Sequence, residues 1–374
     1  MAPRPAKAPG VGLSIGIVGL PNAGKSTVFN ALTRAAVAVA PYPFTTVEPH
    51  RGVVPVPDAR LEAVARVTRP ERTVPATVEF VDIAGLVRGA SRGEGLGNQF
   101  LAHIREVDAV AHIVRCFPAP DVPHVEGVPD PQRDIEIVET ELALADLSVV
   151  EREMERQRGR ARAHDARAAE RLDALTVVAD ALKRGGMVRR LPAASEQVAL
   201  LRPLRLLTAK PVVYVANIAE EDLPGGGPGG DQVRRHARAV GAEAVILAAK
   251  LEAEAAGLPE AEAREVLRAY GLEEPGLWSL VRAAQRVLDL VTFFSTDSRE
   301  VRAWSVPRGT KAPQAAGQIH SDMERGFIRA EVINWETLVR VGSLKAAHDH
   351  GQIALEGRDY VVRDGDVIHF RFAV

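Results

Sequence analysis

The sequence is poor in cysteine and has no long apolar run. Cys116 is the only cysteine among 374 residues, which excludes an intrachain disulfide and a zinc site built from several cysteines. A reducing, cytoplasmic location is therefore the expectation. No stretch approaches the roughly 18 apolar residues of a membrane-spanning helix, so no membrane partner is expected. Residues 1–12 carry positive charge with no apolar stretch behind it, unlike a secretory signal, and are expected to be a disordered leader.

The sequence also has little net charge. Lys and Arg number 47 and Asp and Glu number 49, which gives a formal net charge of −2. This balance argues against a generally basic nucleic-acid binder, and no DNA partner is expected, although a local basic patch is compatible with it. Hydrophobic residues make up 46% and charged residues 26%, an ordinary globular composition that excludes disorder over most of the length. At about 100–200 residues per domain, two or three domains are expected.

Strand and helix patterns alternate in the first third of the chain. Short apolar runs at 13–18, 78–81 and 109–114 are typical of buried strands, and residues 25–34 have helical spacing. Strands that alternate with helices form a parallel sheet with helices on its faces. This part of the chain is therefore predicted to be an α/β domain.

Strand patterns are absent between residues 133 and 205. Charges of both signs interleave there with Leu, Ala and Met at helical spacing, which predicts two antiparallel helices in a coiled-coil-like arm. Strand patterns return at 211–216 and 244–247, separated by the glycine-rich stretch 224–230, which is expected to be a flexible surface loop. Because the sheet resumes after the arm, the arm is predicted to be an insertion in the α/β domain.

The last part of the chain, residues 291–374, has a different pattern of apolar and polar residues. Apolar and polar residues alternate from Val301 to Ser305, and Asp364-Gly365 stands between two strand-like runs. Asp-Gly between such runs predicts a β-hairpin. We expect a small mixed α+β module.

A phosphate-binding motif follows the first predicted strand. Residues 19–26 read Gly-Leu-Pro-Asn-Ala-Gly-Lys-Ser, which matches G-x-x-x-x-G-K-[ST] between a strand and a helix. The glycines let backbone N–H groups surround phosphate oxygens, and the helix N-terminus adds partial positive charge. Lys25 is expected to neutralise the β- and γ-phosphates, and the Ser26 hydroxyl is expected to ligate Mg²⁺.

Further residues are expected on the Mg²⁺ side of the site. Asp82 ends the strand pattern at 78–81 and can hold Mg²⁺ through water, as a Walker-B carboxylate does, or it can cap a strand-to-helix turn. The Gly85 N–H can contact the γ-phosphate. Thr46, in a loop with proline and threonine, can ligate Mg²⁺, or that loop is only structural. The glycines at 89–97 suit either a segment that orders with nucleotide or a flexible connector.

Several strings of residues resemble a known family. The stretches 19–27, 81–90 and 93–100 resemble Obg-related P-loop proteins, and most closely the YchF-type Obg-like ATPases. The resemblance continues at 114–117, 134–137, 141–146, 299–304 and 311–317, and it spans residues 13 to 373. It implies a P-loop G domain at 13–132 and 206–290, a helical coiled-coil insertion at 133–205, and a C-terminal TGS domain of β-grasp type at 291–374.

The base-recognition segment departs from the GTPase pattern. A GTPase carries Asn-Lys-x-Asp where this sequence reads Asn217-Ile-Ala-Glu220. Adenine does not need the missing Asp, which favours adenine and leaves guanine open; the resemblance implies ATP. Asn217 and Ile218 are then the expected base contacts. Residues 248–250, which we call the second base loop, resemble the Ser-Ala-Lys base loop with Ala248 in place of Ser, and Lys250 lies in it. The nucleotide-binding residues are thus predicted to be Asn22, Ala23, Gly24, Lys25, Ser26, Thr27, Gly85, Asn217, Ile218 and Lys250.

The residue that would orient the attacking water is also changed. Ras-like enzymes use a glutamine after Asp-x-x-Gly, and here that position is Leu86, which cannot form a hydrogen bond. Slow hydrolysis is expected unless another group acts. The resemblance points to His112 as the catalytic residue, because an imidazole can orient or deprotonate water. Packing of His112 inside a strand is the structural alternative.

Asn22 suggests a second cation. An asparagine at this P-loop position helps hold K⁺ against the phosphates in related enzymes, where the added charge replaces an arginine finger. Capping of the loop is the alternative role. Mg²⁺ is therefore the expected cofactor and K⁺ a second candidate.

Three functions are expected from these patterns together with the resemblance, which implies the ribosome partner because TGS domains in related proteins accompany RNA- or ribosome-linked functions. The first is a slow ATPase switch that binds the ribosome or ribosome-associated RNA or protein. The second is a GTPase of the same architecture, and the third is a nucleotide-sensing RNA- or ribosome-binding adaptor whose hydrolysis is incidental. Residues 151–190 hold 11 basic and 7 acidic side chains, which suits either a solvated charged helical hairpin or a basic face that touches RNA phosphates. Residues 291–374 hold 11 of each, so there is no bulk electrostatic attraction and any RNA contact would need a localised patch. The oligomeric state is left open.

Overall fold

A computed structural model describes seven stretches of the chain, and the fold is stated for those stretches. They are residues 13–39, 51–83, 89, 97–162, 165–192, 199–297 and 299–373. The predictions for Thr46, Gly85, Leu86 and the leader at 1–12 fall outside the described residues.

The first sheet has six strands and confirms the predicted α/β class. Its strand order is β2-β4-β1-β5-β6-β7. All neighbours are parallel except β2, which runs antiparallel to β4. The strands are β1 (Ser14–Val18), β2 (Arg51–Pro55), β4 (Thr77–Asp82), β5 (Ala109–Cys116), β6 (Val212–Ile218) and β7 (Glu243–Leu247). Every residue of β1 and β6 is buried, as expected for strands covered by helices on both faces.

Helices cover both faces of this sheet. The helices that follow or precede its strands are α1 (Lys25–Val39), α2 (Ala59–Thr68), α3 (Gly97–Glu106), α6 (Gly227–Ala239), α7 (Ala249–Ala255), α8 (Glu260–Ala269) and α9 (Gly276–Val287). One apolar core lies under α1 and α9, and a second lies under α3 and α6. None of the helices in the described ranges has both the length and the apolar character needed to cross a membrane.

Helix α6 begins inside the stretch that was predicted to be a loop. The prediction for 224–230 is wrong from Gly227 onward, because Pro228 stands in the first turn, where a fixed φ favours a helix. Gly230 also permits close packing, since a Cβ there would lie 3.2 Å from the Ile246 side chain. The glycines therefore bring the helix close to the sheet.

Two long helices form the predicted arm. They are α4 (Pro131–Arg162) and α5 (Ala166–Lys183). Val150 on α4 packs against Leu175, Val178 and other apolar side chains of α5 in a separate core. The first turns of α4 instead pack on the G-domain sheet through side chains such as Ile135 and Leu142. The arm thus leaves the domain as a continuous extension of one of its own helices.

The second sheet contains one strand from the first domain. Its strand order is β11-β10-β12-β8-β9-β3. The strands are β3 (Arg72–Val74), β8 (Leu290–Thr296), β9 (Glu300–Pro307), β10 (Phe327–Asn334), β11 (Ala354–Glu356) and β12 (Asp366–Phe372). Helices α10 (Ala312–Ile319), α11 (Ser321–Arg325), α12 (Trp335–Val341) and α13 (Leu344–Asp349) complete this unit. β3 runs parallel to β9 with Thr73 opposite Val301, although residues 72–74 lie within the range predicted for the G domain.

The hairpin predicted at Asp364-Gly365 is wrong. β12 begins after this dipeptide and pairs with β10 and β8, so no hairpin partner precedes it. Asp364 instead accepts hydrogen bonds from the Thr292 N–H at 2.8 Å and from Arg60 of α2 at 2.6 Å. The carboxylate thereby joins the two units. Asp364 and Gly365 do form a turn, closed by the Asp366 N–H on the Arg363 carbonyl oxygen at 3.2 Å, but Val361 before the turn pairs with Lys311 rather than with β12.

Candidate nucleotide-binding site

The phosphate loop connects β1 to α1 as the motif predicts. Gly19 and Gly24 have φ values of 153° and 93°, a region that side chains disfavour. A Cβ at Gly19 would collide with the Ile113 carbonyl oxygen, and one at Gly24 would collide with the amide nitrogen of Asn217. Both glycines are therefore required by close approach as well as by backbone conformation.

Lys25 is the cation of this loop. Its side chain is buried, and Nζ donates a hydrogen bond to the Leu20 carbonyl oxygen at 2.8 Å. Burial lowers the pKa of Lys25 to about 8, and the nearby Asp82 carboxylate opposes that shift. An anionic phosphate beside Nζ would favour the protonated form.

Ser26 and Asp82 form a pair suited to Mg²⁺. The Ser26 Oγ donates to Asp82 Oδ2 at 3.0 Å, while Asp82 Oδ1 is buried and has no hydrogen-bond partner. Hydroxyl and carboxylate oxygens are ligands that Mg²⁺ prefers, with water and phosphate oxygens completing its octahedron. Across the described ranges there is no group of three or more His, Cys, Asp or Glu residues placed to hold a metal. The pair therefore fits a metal that shares its ligands with a nucleotide.

Asn22 is held by a loop that sequence reasoning missed. It has a φ of 61°, and its Nδ2 donates to the Pro123 carbonyl oxygen at 2.9 Å. Arg115 organises this loop, because its buried guanidinium donates to the carbonyl oxygens of Phe117, Ala119 and Val122. The sequence signal that could have indicated this loop is Arg115 itself, a charged residue directly after the apolar run 109–114 that needs polar partners nearby.

Asn217 connects the phosphate loop to the second base loop. Its Nδ2 donates to the Ala23 carbonyl oxygen at 2.9 Å, and its Oδ1 accepts from the Ala249 N–H at 3.0 Å. Ile218, the last residue of β6, is buried in the core under α6. The amide of Asn217 is thus engaged with backbone, and contact of either residue with a base stays a prediction.

Glu220, at the position of the GTPase aspartate, is engaged by its neighbours. Lys250 Nζ lies 3.6 Å from Glu220 Oε1, and the Tyr270 hydroxyl donates to Oε2 at 3.3 Å. The Lys250 side chain is 78% exposed, so it remains available at the surface. The carboxylate that a guanine would require is therefore partly occupied by protein groups.

His112 packs against residues under α4 rather than against the phosphate loop. It stands opposite Val18 in the β1–β5 ladder, but it faces the core under α4. Burial lowers the pKa of His112 to about 3, so the imidazole is neutral near pH 7. Its ring centroid is 5.7 Å from that of Tyr214. The structure therefore shows an enclosed neutral imidazole at the level of the phosphate loop.

The structure brings together the predicted phosphate loop, the predicted Mg²⁺-side carboxylate and the predicted base-recognition segment. The phosphate loop meets Asp82 through Ser26 and meets Asn217 through Ala23. Lys250, in α7, lies beside Glu220, which follows β6.

Comparison with known proteins covers both units of the chain. Residues 14–143 match the family described as 50S ribosome-binding GTPase. Residues 290–373 match a YchF-GTPase C-terminal family described as a protein of unknown function.

Curated relatives match along nearly the whole length. The chain is 49% identical over 364 residues to the protein called ribosome-binding ATPase YchF in Haemophilus ducreyi, 48% identical to that in Escherichia coli O157:H7 and 46% identical to that in Bacillus subtilis. Each alignment covers 97% of this chain and 100% of the relative. Among solved structures, the Schizosaccharomyces pombe protein described as a YchF GTPase has a TM-score of 0.86 and 33% identity, over 97% of this chain and 99% of that chain.

Proposed function

The chain belongs to the YchF family, and from that premise we propose that it is a cytoplasmic, ribosome-associated switch that binds and slowly hydrolyses ATP. The observation that carries this proposal is the phosphate loop, in which Lys25 lies beside the Ser26–Asp82 pair. The curated relatives named above are called ribosome-binding ATPases.

The phosphates are bound by the backbone N–H groups of the loop and by the N-terminus of α1. Lys25 adds the positive charge that the β- and γ-phosphates require. Ser26 and Asp82, the latter through water, hold Mg²⁺, which neutralises charge on the phosphates when bound. Thr46 as a third ligand and the Gly85 N–H as a γ-phosphate contact remain part of the proposal, as do Asn22, Ala23, Gly24 and Thr27 in the phosphate cradle.

ATP is favoured over GTP because the guanine-reading aspartate is replaced. Glu220 is already contacted by Lys250 and Tyr270, so it is poorly placed to accept both N–H groups of a guanine. GTP is the second candidate, because the Schizosaccharomyces pombe protein is described as a GTPase. Titration with fluorescent ATP and GTP analogues in Mg²⁺, with Lys25→Ala as the control, distinguishes the two. Tighter GTP binding would overturn the ATP assignment.

His112 is proposed to act on the attacking water, because Leu86 offers no hydrogen bond. Burial lowers the pKa of His112 to about 3, which makes the ring a weak base. Its proposed role is therefore to orient the water through a hydrogen bond to the neutral imidazole; removal of a proton would require a site changed by nucleotide binding. The His112 side chain is buried, so the attacking water requires a rearrangement of the site to lie between the ring and a bound phosphate. His112→Ala should lower hydrolysis with ATP affinity nearly unchanged, whereas His103→Ala on the exposed side of α3 should change neither. Unchanged hydrolysis in His112→Ala would remove the assignment.

K⁺ is proposed to assist through Asn22. The Nδ2–Pro123 hydrogen bond fixes the amide and leaves Oδ1 as the atom able to bind a cation. Faster hydrolysis in K⁺ than in Na⁺, lost in Asn22→Ala, is the expected result. Equal rates in both salts would contradict it.

Ribosome association is proposed to use the arm and the C-terminal unit, which is interpreted as a TGS domain. Co-sedimentation with ribosomes in ATP and ADP tests this proposal, and Lys25→Ala provides the nucleotide control. Hydrolysis without any ribosome binding in either state would contradict it.

A further inference from the structure

A cluster of buried polar groups lies where the arm leaves the G domain. We define this arm-base cluster as Glu139 of α4, Arg189 and Arg190 of the 3-10 turn after α5, and Tyr214 of β6. Glu139 is 8% exposed and Tyr214 is fully buried. Three separate parts of the chain thus converge on one carboxylate inside the protein.

Glu139 accepts several hydrogen bonds. The Tyr214 hydroxyl donates to its Oε1 at 2.5 Å, and Arg189 donates to the same oxygen. Arg190 donates to Oε1 at 3.3 Å and to Oε2 at 3.1 Å. Burial alone would raise the pKa of Glu139, but these three partners outweigh it and hold the pKa below its usual value. The carboxylate is therefore ionised and fixed in position.

His112 is the immediate neighbour of this cluster. The ring of Tyr214 contacts the His112 ring at 5.7 Å between centroids and the His236 ring at 4.9 Å. His112 and Glu139 also line the same small cavity, of about 10 Å³, which is close to the smallest space that holds one water molecule. The Glu139 charge is the chief group that favours a protonated imidazole, opposing Arg189, His236 and Lys25.

We propose that Glu139 fixes the Tyr214 ring and that this ring in turn fixes the orientation of His112, so that Glu139 and Tyr214 are positioning residues for His112. Since Arg189 and Arg190 follow the second arm helix, the packing of the arm base then sets the rate of hydrolysis. This inference rests on the proposed role of His112 in hydrolysis. Nothing in it requires Glu139 or Tyr214 to touch the nucleotide.

The test uses two variants that preserve shape. Tyr214→Phe keeps the ring contacts and removes the hydroxyl, and Glu139→Gln keeps the shape and one acceptor oxygen while it removes the charge. Each should lower kcat about tenfold, the scale of a small misplacement of a reacting group, with the ATP Kd within about twofold. The ¹⁵N resonances of His112 should shift in both variants.

A matched control exists on the same helix. Asp146 is a fully buried carboxylate of α4 that accepts from the Leu207 and Thr208 N–H groups, and it does not line the cavity that His112 and Glu139 share. Asp146→Asn should lower the melting temperature but leave kcat and the His112 resonances unchanged. Both test variants should also be made in a His112→Ala background, where neither should reduce hydrolysis further.

The outcomes separate the inference from the function on which it rests. Normal kcat in Tyr214→Phe and Glu139→Gln, with hydrolysis lost in His112→Ala, would overturn the positioning role and leave the catalytic role intact. An equal further loss in the His112→Ala background would mean a purely structural effect and would also overturn it. Full hydrolysis by His112→Ala alone would remove the proposed catalytic role and this inference together.

Discussion

Asn217 donates its side-chain amide hydrogen to the carbonyl oxygen of Ala23, a residue 194 positions earlier in the chain. The same side chain accepts a hydrogen bond from the Ala249 N–H. One buried amide therefore fixes the phosphate loop relative to the start of α7. Loop geometry at the phosphate site depends on this bond as much as on the glycines.

Replacement of Asn217 by Ala should loosen the phosphate loop. Two buried backbone groups lose their partner, at a cost of about 1–3 kcal/mol each. The melting temperature should fall and the ATP Kd should rise at least tenfold, as measured by calorimetry and nucleotide titration. Asn30→Ala on the exposed face of α1 is the control and should change neither. An unaltered ATP Kd in Asn217→Ala would contradict the bracing role.

ATP affinity should weaken above about pH 8. Lys25 has a pKa of about 8 in the free protein because of burial, and bound phosphate favours its charged form. Below pH 8 the amine is already protonated, whereas above it each pH unit should raise the ATP Kd about tenfold, since binding must then take up a proton. Calorimetry in buffers of different ionisation enthalpy measures that uptake. Lys25→Met should bind weakly with no such slope, and a flat profile in the unaltered protein would contradict the prediction.

Two glycine-to-alanine substitutions should differ in outcome, because one should abolish nucleotide binding and the other should raise the free energy of unfolding. Gly24→Ala forces a side chain into a φ of 93° and against the Asn217 amide, so nucleotide binding should be lost. Gly159 lies within α4 with nothing within 4 Å of an added Cβ, so Gly159→Ala should add up to about 1 kcal/mol of stability. Denaturant unfolding and ATP titration of both variants check this pair. Normal ATP binding by Gly24→Ala would show that the loop relaxes more easily than its packing indicates.

Glu252 should make stability fall as pH rises from about 4.5 to 7. Its carboxyl accepts from the Gly276 N–H at 2.6 Å at the start of α9, and burial raises its pKa to about 7. The folded state keeps the proton while the unfolded state releases it, so the stabilising contribution is present below pH 4.5 and is lost by pH 7. The loss amounts to about 3 kcal/mol at most.

Glu252→Gln isolates this contribution. The amide keeps an acceptor for α9 and does not titrate, so the variant should gain stability relative to the unaltered protein between pH 5 and pH 8. Urea unfolding at both pH values measures the difference. Parallel stability profiles for the two proteins would mean that Glu252 does not carry the slope.

Local patterns predicted the phosphate site and the first sheet. The strand, the glycines and the lysine of the P-loop are adjacent in sequence, and Asp82 follows directly from the end of its strand, so the meeting of Ser26 and Asp82 required only the α/β fold. Parallel strands buried on both faces are also apparent as apolar runs.

Contacts between distant loops were not predictable in the same way. Pro123 meets Asn22 in a loop whose carbonyl oxygens accept from Arg115, and an arginine next to an apolar run does not by itself specify which carbonyl oxygens it will contact. The hairpin prediction failed for a related reason. Asp364 and Gly365 form the expected turn, but Val361 before it pairs with Lys311, whereas β12 after it pairs with β10 and β8.

The pairing of β3 with β9 places a strand of the nucleotide domain at the edge of the C-terminal sheet. β3 ends at Val74, and β4, which begins at Thr77, runs directly to Asp82. Because two residues separate β3 from β4, a displacement of the C-terminal sheet would be transmitted through the backbone to the strand that ends at Asp82, a proposed Mg²⁺ ligand. Removal of residues 290–374 would take away β9 and leave the backbone of β3 unpaired. The nucleotide domain therefore depends on the C-terminal unit for part of its own backbone hydrogen bonding.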